Sequence, residues 1–389
     1  MKNNVYVDIH VLQTLPPSCV NRDDTGRPKT AEYGGVQRAV VSSQAWKHAI
    51  RKKFSNDELM PQGTGLRTKL IKKLIIDEIM KLDPTVVDID TETEHALVLV
   101  EILKEKTKKG KKNQSNAEND EKENDQDVLF FISPGEIELF AKTIIKHIKQ
   151  KNMSKIDNDN IEKDNKKEGK EQNKEEKEYK DELVQALKSK ITPDIQLFGR
   201  MFASNTELNV DAASQVAFAI STHKVKVEID FFSAVDDVKE GSGAGHIDTK
   251  EYDSAVFYRY SNLNVNKLSE TYGDQTCDII RNYIEAFVLS MPTGMINSHG
   301  NRTVPAYVYV AVRTDQPIYL GEAFEKPVVN QGDGFMIPSK QILKSYAKDL
   351  YSIYGNPAGE YYSEIGNQDG LTLEQLLIKT KSRVGELLA

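Results

Sequence analysis

Apolar and polar residues alternate near the amino terminus: Val5, Val7, Ile9 and Val11 take the odd positions, Tyr6, Asp8 and His10 the even ones. A period of two predicts a strand with one buried face. From 15 to 35 the pattern gives way to turn formers, among them Pro16-Pro17, Asn21 to Asp24, Gly26, Pro28 and Gly34-Gly35, which predicts a long connection. A helix follows, because Trp46, Ala49, Ile50 and Phe54 recur at helical spacing behind Ser42 and Ser43, which can cap it. Lys47, His48, Arg51 and Lys52 fall on its other side. Residues 65–150 carry further helical patterns, clearest at 66–82 and 133–149.

Strand patterns return at 224–232, where Val225, Val227, Ile229 and Phe231 alternate with Lys224, Lys226, Glu228 and Asp230. Its expected partner is 255–260. The intervening 233–252, with a glycine-rich tip at 241–245, predicts a long mobile hairpin extension. A helix is predicted over 274–290, stopped by Pro292, then a strand over 304–312 with Val304, Ala306, Val308, Val310 and Val312 on one face. Helices over 339–354 and 371–388 close the chain. The core order is β-α-β-β-α-β, that of the ferredoxin-like arrangement, whose sheet also underlies RRM-type RNA-binding modules.

Composition changes this picture in two places. Runs 104–127 and 151–180 mix acids and bases, are poor in aromatics and are too polar to bury, so both are expected to be exposed and partly disordered; Glu–Lys pairing allows the second a charged helix. The 389 residues, 39% hydrophobic and 29% charged, suit a soluble protein of roughly two to three domains. The start lacks the apolar run of a signal peptide and no stretch would span a membrane, so a cytoplasmic protein is expected. Cys19 and Cys277 have no metal or disulfide spacing.

Net charge is −7, so binding of nucleic acid requires a local basic surface. One exists between residues 20 and 53, where Arg22, Arg27, Lys29, Arg38, Lys47, Arg51, Lys52 and Lys53 face only Asp23, Asp24 and Glu32, a local excess of five positive charges. The helix start adds the Ser42 and Ser43 hydroxyls, the Gln44 amide and free backbone N–H groups, with Lys47 and Arg51 one turn apart. Phosphate binding and a merely solvated helix face both fit. Asp23-Asp24 could hold Mg²⁺ for RNA cleavage, but neighbours on an extended chain point apart, and a local turn is the simpler reading; Asp236-Asp237 is discounted alike. The seven histidines show no metal-binding spacing, and neither nucleotide-loop nor nucleophile-elbow strings occur, so no cofactor or metal is expected. In Gly199-Arg200-Met201, flanked by Phe198 and Phe202, Met201 could wedge against a nucleobase or fill the core.

Taken together these segments resemble the CasC-type backbone subunit of the type I-E CRISPR surveillance complex, Cascade. The matching strings are 8–12 (DIHVL), 21–24 (NRDD), Lys29, 33–35 (YGG), 41–44 (VSSQ) with Lys47 and Arg51, 199–201 (GRM), 220–223 (ISTH), 230–237 (DFFSAVDD), 256–260 (VFYRY) and 323–326 (AFEK). The resemblance implies an α+β fold: an RRM-like palm from 1–60 and 198–389, helical fingers over 61–197 and a β-hairpin thumb at about 223–260. It also implies a non-catalytic protein whose copies stack along one CRISPR RNA, beside CasA-, CasB-, CasD- and CasE-type subunits, and present the guide to target DNA. Carried over by position, Asn21, Arg22, Lys29, Ser42, Gln44, Lys47 and Arg51 would hold the RNA backbone, and Met201 would lie against a displaced base. His48 stands where a further cation would serve. Two other readings stay open: a metal-dependent endoribonuclease of the type III backbone kind using Asp24, and a scaffold that binds only protein.

Overall fold

A computed structural model describes residues 4–60, 62–103, 129–158, 168–234 and 246–389. The chain forms two compact units, one from Met1–Pro61 with Ala213–Ala389, the other from Gln62–Ala212. The first unit opens with β1 (Tyr6–Ser18), β2 (Thr30–Tyr33), β3 (Val36–Val41) and α1 (Ser43–Asn56). The second contains β4 (Leu66–Thr68), α2 (Ile71–Leu82), α3 (Ile89–Leu99), β5 (Phe130–Ile132), α4 (Pro134–Asn158), α5 (Glu168–Lys188) and α6 (Pro193–Phe198). The first unit then resumes with β6 (Ser214–Val216), β7 (Ala219–Ser221), β8 (Glu228–Ala234), β9 (His246–Asn264), α7 (Val265–Tyr272), α8 (Thr276–Leu289), α9 (Ile296–His299), β10 (Tyr307–Arg313), α10 (Met336–Tyr354), β11 (Gly359–Glu364) and α11 (Leu373–Leu388).

The large sheet runs β11-β10-β1-β9-β7-β3-β2, all neighbours antiparallel, with β6 and β8 also paired to β9. Its faces are covered differently. On one, Tyr258, Tyr260, Tyr307 and Tyr309 pack with Leu320, Phe324 and with Leu343, Ala347 and Tyr351 of α10. On the other, Leu15, Ala255 and Phe257 pack with Trp46 of α1, and the Arg259 guanidinium lies 3.7 Å from the Trp46 ring centroid and 4.8 Å from that of Phe287 on α8.

Several expectations need correction. β1 is buried on both faces, because α10 covers the side that carries Asp8 and His10. β10 is likewise buried throughout, whereas Val304 precedes it and is exposed. The expected connection over 15–35 holds the end of β1 and a hairpin: Gly34 and Gly35, both at positive φ, turn β2 into β3. Residues 255–260 pair with β1 and β7, and β8 takes the start of β9 instead, from Glu228↔Tyr252 to Ala234↔His246. The hairpin extension expected over 233–252 is thus a ribbon of β8 with the start of β9, and its apolar side is not buried: Ile229 and Phe231 are 65% and 67% exposed.

The second unit is built on a buried cluster from α2, α3, α4 and α5, including Ile75, Leu97, Phe140, Ile144 and Leu183. Ser133 and Glu136 form a reciprocal cap at the start of α4: the Glu136 amide donates to Ser133 Oγ at 3.0 Å and the Ser133 amide to Glu136 Oε2 at 2.7 Å. The run 104–127 and the 241–245 tip lie outside the described residues. Of the second charged run, 151–158 and 168–180 are helical; Tyr179, expected to be solvated, joins the buried cluster. Among the described residues no helix is long and apolar enough to cross a membrane.

Candidate nucleic-acid interface

The basic segment is organised around the start of α1. Ser42 has extended backbone and its Oγ accepts from the Ala45 amide at 3.3 Å, the hydrogen bond of an N-cap. Buried Trp46, Ala49, Ile50 and Phe54 fix which side of α1 meets the sheet. Gln44, Lys47, His48 and Arg51 consequently share the outward side, at intervals of three and four residues, exposed or half-buried. Asn21 ties the preceding loop to this helix start: its Oδ1 accepts from the Ser42 amide at 2.8 Å and its carbonyl from the Lys29 amide at 2.9 Å. Asn21 thus acts as a clamp, while its side-chain NH₂ keeps two donors. Arg22 and Lys29 flank the clamp, Arg22 exposed and Lys29 half-buried.

Not every cation counted along the chain reaches this surface. Arg38 is fully buried, and its guanidinium donates to the carbonyls of Tyr33, Ser221, Phe324 and Glu325. Arg27 pairs with Glu251 of β9 at 3.0 Å, and Lys53 pairs with Asp57 one turn on. Arg22, Lys29, Lys47, Arg51 and Lys52 remain as exposed or half-buried cations of the segment.

Asp23 is a loop staple. Its Oδ1 accepts from the Thr25 hydroxyl at 2.8 Å, the Thr25 amide at 2.9 Å and the Arg27 amide at 3.0 Å, and the Thr25 hydroxyl leads in holding its carboxyl below the usual range. Asp24 is exposed beside it. Among the described residues no three His, Cys, Asp or Glu side chains gather as a metal site needs.

Met201 belongs to the second unit, away from the other candidates in sequence and unit alike. It does not fill the core: it is 82% exposed, while Phe198 and Phe202 are buried around it. Its neighbour Arg200 makes this possible. That guanidinium forms a buried ion pair with Glu136 at 2.6 Å and donates to the carbonyls of Leu208 and Leu187, locking the backbone from which Met201 projects. Gly199 is at φ +78°, where a Cβ would stand 3.0 Å from the Val210 carbonyl oxygen.

One neighbour of the interface has no sequence signal. Residues 290–302 follow α8 without periodicity, yet Gly294 sits so close to the Asn21 loop that a Cβ there would lie 2.4 Å from the Val20 carbonyl oxygen. This contact brings Arg302, exposed and absent from any basic run, beside α1.

The aromatic face of the sheet cannot serve as a base-stacking platform, because α10 seals Tyr258, Tyr260, Tyr307 and Tyr309 beneath it. What the exposed surface offers is cations, amides and hydroxyls, the groups that contact phosphate and sugar rather than base edges.

Comparison with known proteins adds the following. The family described as CT1975-like protein matches residues 7–388. No curated protein matches. A solved chain titled "CRISPR RNA-guided surveillance complex, pre-nicking" is 29% identical, with TM-score 0.75, covering 98% of this chain and 100% of that one. Another, titled "CRISPR RNA-guided surveillance complex", is 24% identical with TM-score 0.56 over 98% and 99% of the two chains, a likeness of fold.

Proposed function

The chain belongs to the CT1975-like protein family, and from that membership we propose that it is a CRISPR RNA-binding subunit of a surveillance complex, a backbone subunit of the type I-E Cascade kind. The observation that carries the proposal is the pairing of an outward basic and amide stripe, Gln44, Lys47 and Arg51, with a sheet whose aromatic rings are sealed. Such a surface grips a strand by its backbone and accepts any guide sequence. Arg22 and Lys29 extend the grip, Asn21 and Ser42 hold its geometry, and His48 borders it. Met201, projecting from a locked backbone, contacts a displaced base.

Further features support the same reading. The order β10-β1-β9-β7, with α1 and α8 in the crossovers, suits an RRM-like palm. The unit Gln62–Ala212 suits the fingers and the β8–β9 ribbon the thumb. Exposed Ile229 and Phe231 suit a ribbon that meets a neighbouring copy along the RNA. The other Cascade subunits and, through the guide, target DNA complete the partners. The subunit acts without catalysis: Asp23, the carboxylate next to Asp24, is engaged in its own turn.

Fluorescence anisotropy with two single-stranded RNAs of unrelated sequence tests this. Lys47→Ala with Arg51→Ala should weaken both alike and flatten the salt dependence by about 1.4, at about 0.7 per lost phosphate contact on a single strand. Unchanged binding, or loss confined to one sequence, would overturn it. Cleavage of complementary RNA with Mg²⁺, abolished by Asp24→Ala, would overturn the non-catalytic assignment.

A further inference from the structure

On the flank of α1 next to the outward stripe lies a cleft of about 260 Å³ between the helix and residues 290–302. Its charged lining is Lys52, Lys53 and Arg302 against Asp57, and Asp57 is already paired with Lys53. Neither Lys52 nor Arg302 has an ion-pair partner among the described residues, and both are exposed. Ser290, which also lines the cleft, is buried, and its Oγ has no hydrogen-bond partner. A buried hydroxyl without a partner is uncommon and asks for a ligand or a reason.

We propose that this cleft is a second phosphodiester site, in which Lys52, Arg302 and the Ser290 hydroxyl hold the backbone of the same RNA strand beyond the point gripped by Lys47 and Arg51. The inference rests on the RNA-binding reading above and extends it to residues that the family resemblance did not assign. Charge decides the ligand class: two cations without carboxylate partners, beside a hydroxyl donor, complement an anion with several acceptor oxygens. Continuity decides its source. His48 belongs to both the stripe and the cleft, and Lys52 lies five residues, about 7.5 Å of helix axis, beyond Lys47. A strand laid along the stripe therefore reaches the cleft without leaving α1. Thr293 on the opposite wall offers another exposed hydroxyl.

The test uses the full-length protein, a labelled single-stranded RNA of mixed sequence and a salt series. Lys52→Ala with Arg302→Ala should lower affinity at least tenfold at low salt and reduce the salt slope by about 1.4. Lys52→Arg with Arg302→Lys should restore the slope. Ser290→Ala should lower affinity about tenfold with the slope unchanged, since it removes a donor to a charged acceptor but no charge, and should leave the melting temperature level or higher because Oγ has no partner to lose. If Lys47→Ala with Arg51→Ala weakens binding while the cleft variants titrate like the parent, the second site is wrong and the RNA-binding reading stands. If neither pair matters, both fall. If the cleft variants bind RNA normally but lose self-association in sedimentation, the cleft takes a polypeptide and the proposal is overturned.

Discussion

Asp8 and His10 stand two residues apart on the α10 side of β1, both fully buried, and their protonation pulls stability in opposite directions. Burial raises the Asp8 pKa from 3.8 to about 7, outweighing the donors Ile318 N–H and Tyr260 O–H and the nearby Arg313. Burial alone lowers that of His10 from 6.5 to about 3. A raised acid contributes stability fully below its unfolded pKa and loses it as pH climbs to the folded value. A lowered base contributes fully above its unfolded pKa and loses it as pH falls. Between about pH 4 and 6.5 the two slopes, each about 1.4 kcal/mol per pH unit, nearly cancel. Relative to the parent, urea unfolding across that window should show stability climbing more steeply with pH for Asp8→Asn and falling more steeply for His10→Gln. Profiles that all run parallel would refute the pairing. The sequence placed both residues on an outward polar face, because alternation reports the strand's period but not that a helix more than three hundred residues later covers the second side.

At the scale of elements, legibility followed local chemistry. The helix α1 was readable to its cap and its four buried residues, since capping and helical spacing are both local. The β2–β3 hairpin was hidden because Gly34-Gly35 reads equally as a breaker and as a tight turn. The partner of β8 was misassigned because β9 is 19 residues long and pairs with β8 at one end and with β1 at the other, so one strand looked like two. Linear charge counting credited buried Arg38 to the basic surface and passed over Arg302, since neither burial nor the Gly294–Val20 approach is written in a window of sequence. The ribbon carries its own prediction. Ile229→Ser with Phe231→Ser removes side chains that are already mostly in water, so the melting temperature should stay within about 2 °C of the parent. Assembly of several copies on one RNA, followed by analytical ultracentrifugation, should drop markedly. A large loss of stability would mean these residues pack within the subunit instead.

At the scale of the molecule, Gln62–Ala212 is one continuous stretch with its own buried cluster, its own helix cap at Ser133 and Glu136 and its own buried ion pair. Those are the ingredients of an independently folding domain. Residues 62–212 expressed alone should therefore unfold in one cooperative transition by circular dichroism. Arg200→Ala should cost that domain about 3–5 kcal/mol by leaving the Glu136 carboxylate buried without its cation. A fragment that never shows a transition would mean that its core needs the rest of the chain.

The sealing of the sheet by α10 has one more consequence. A subunit that keeps those rings indoors cannot check its cargo by stacking bases on that face. If its cargo is a guide strand, the choice of which strand to load must be made upstream, by whatever trims and delivers it, and an error made there would be carried forward uncorrected.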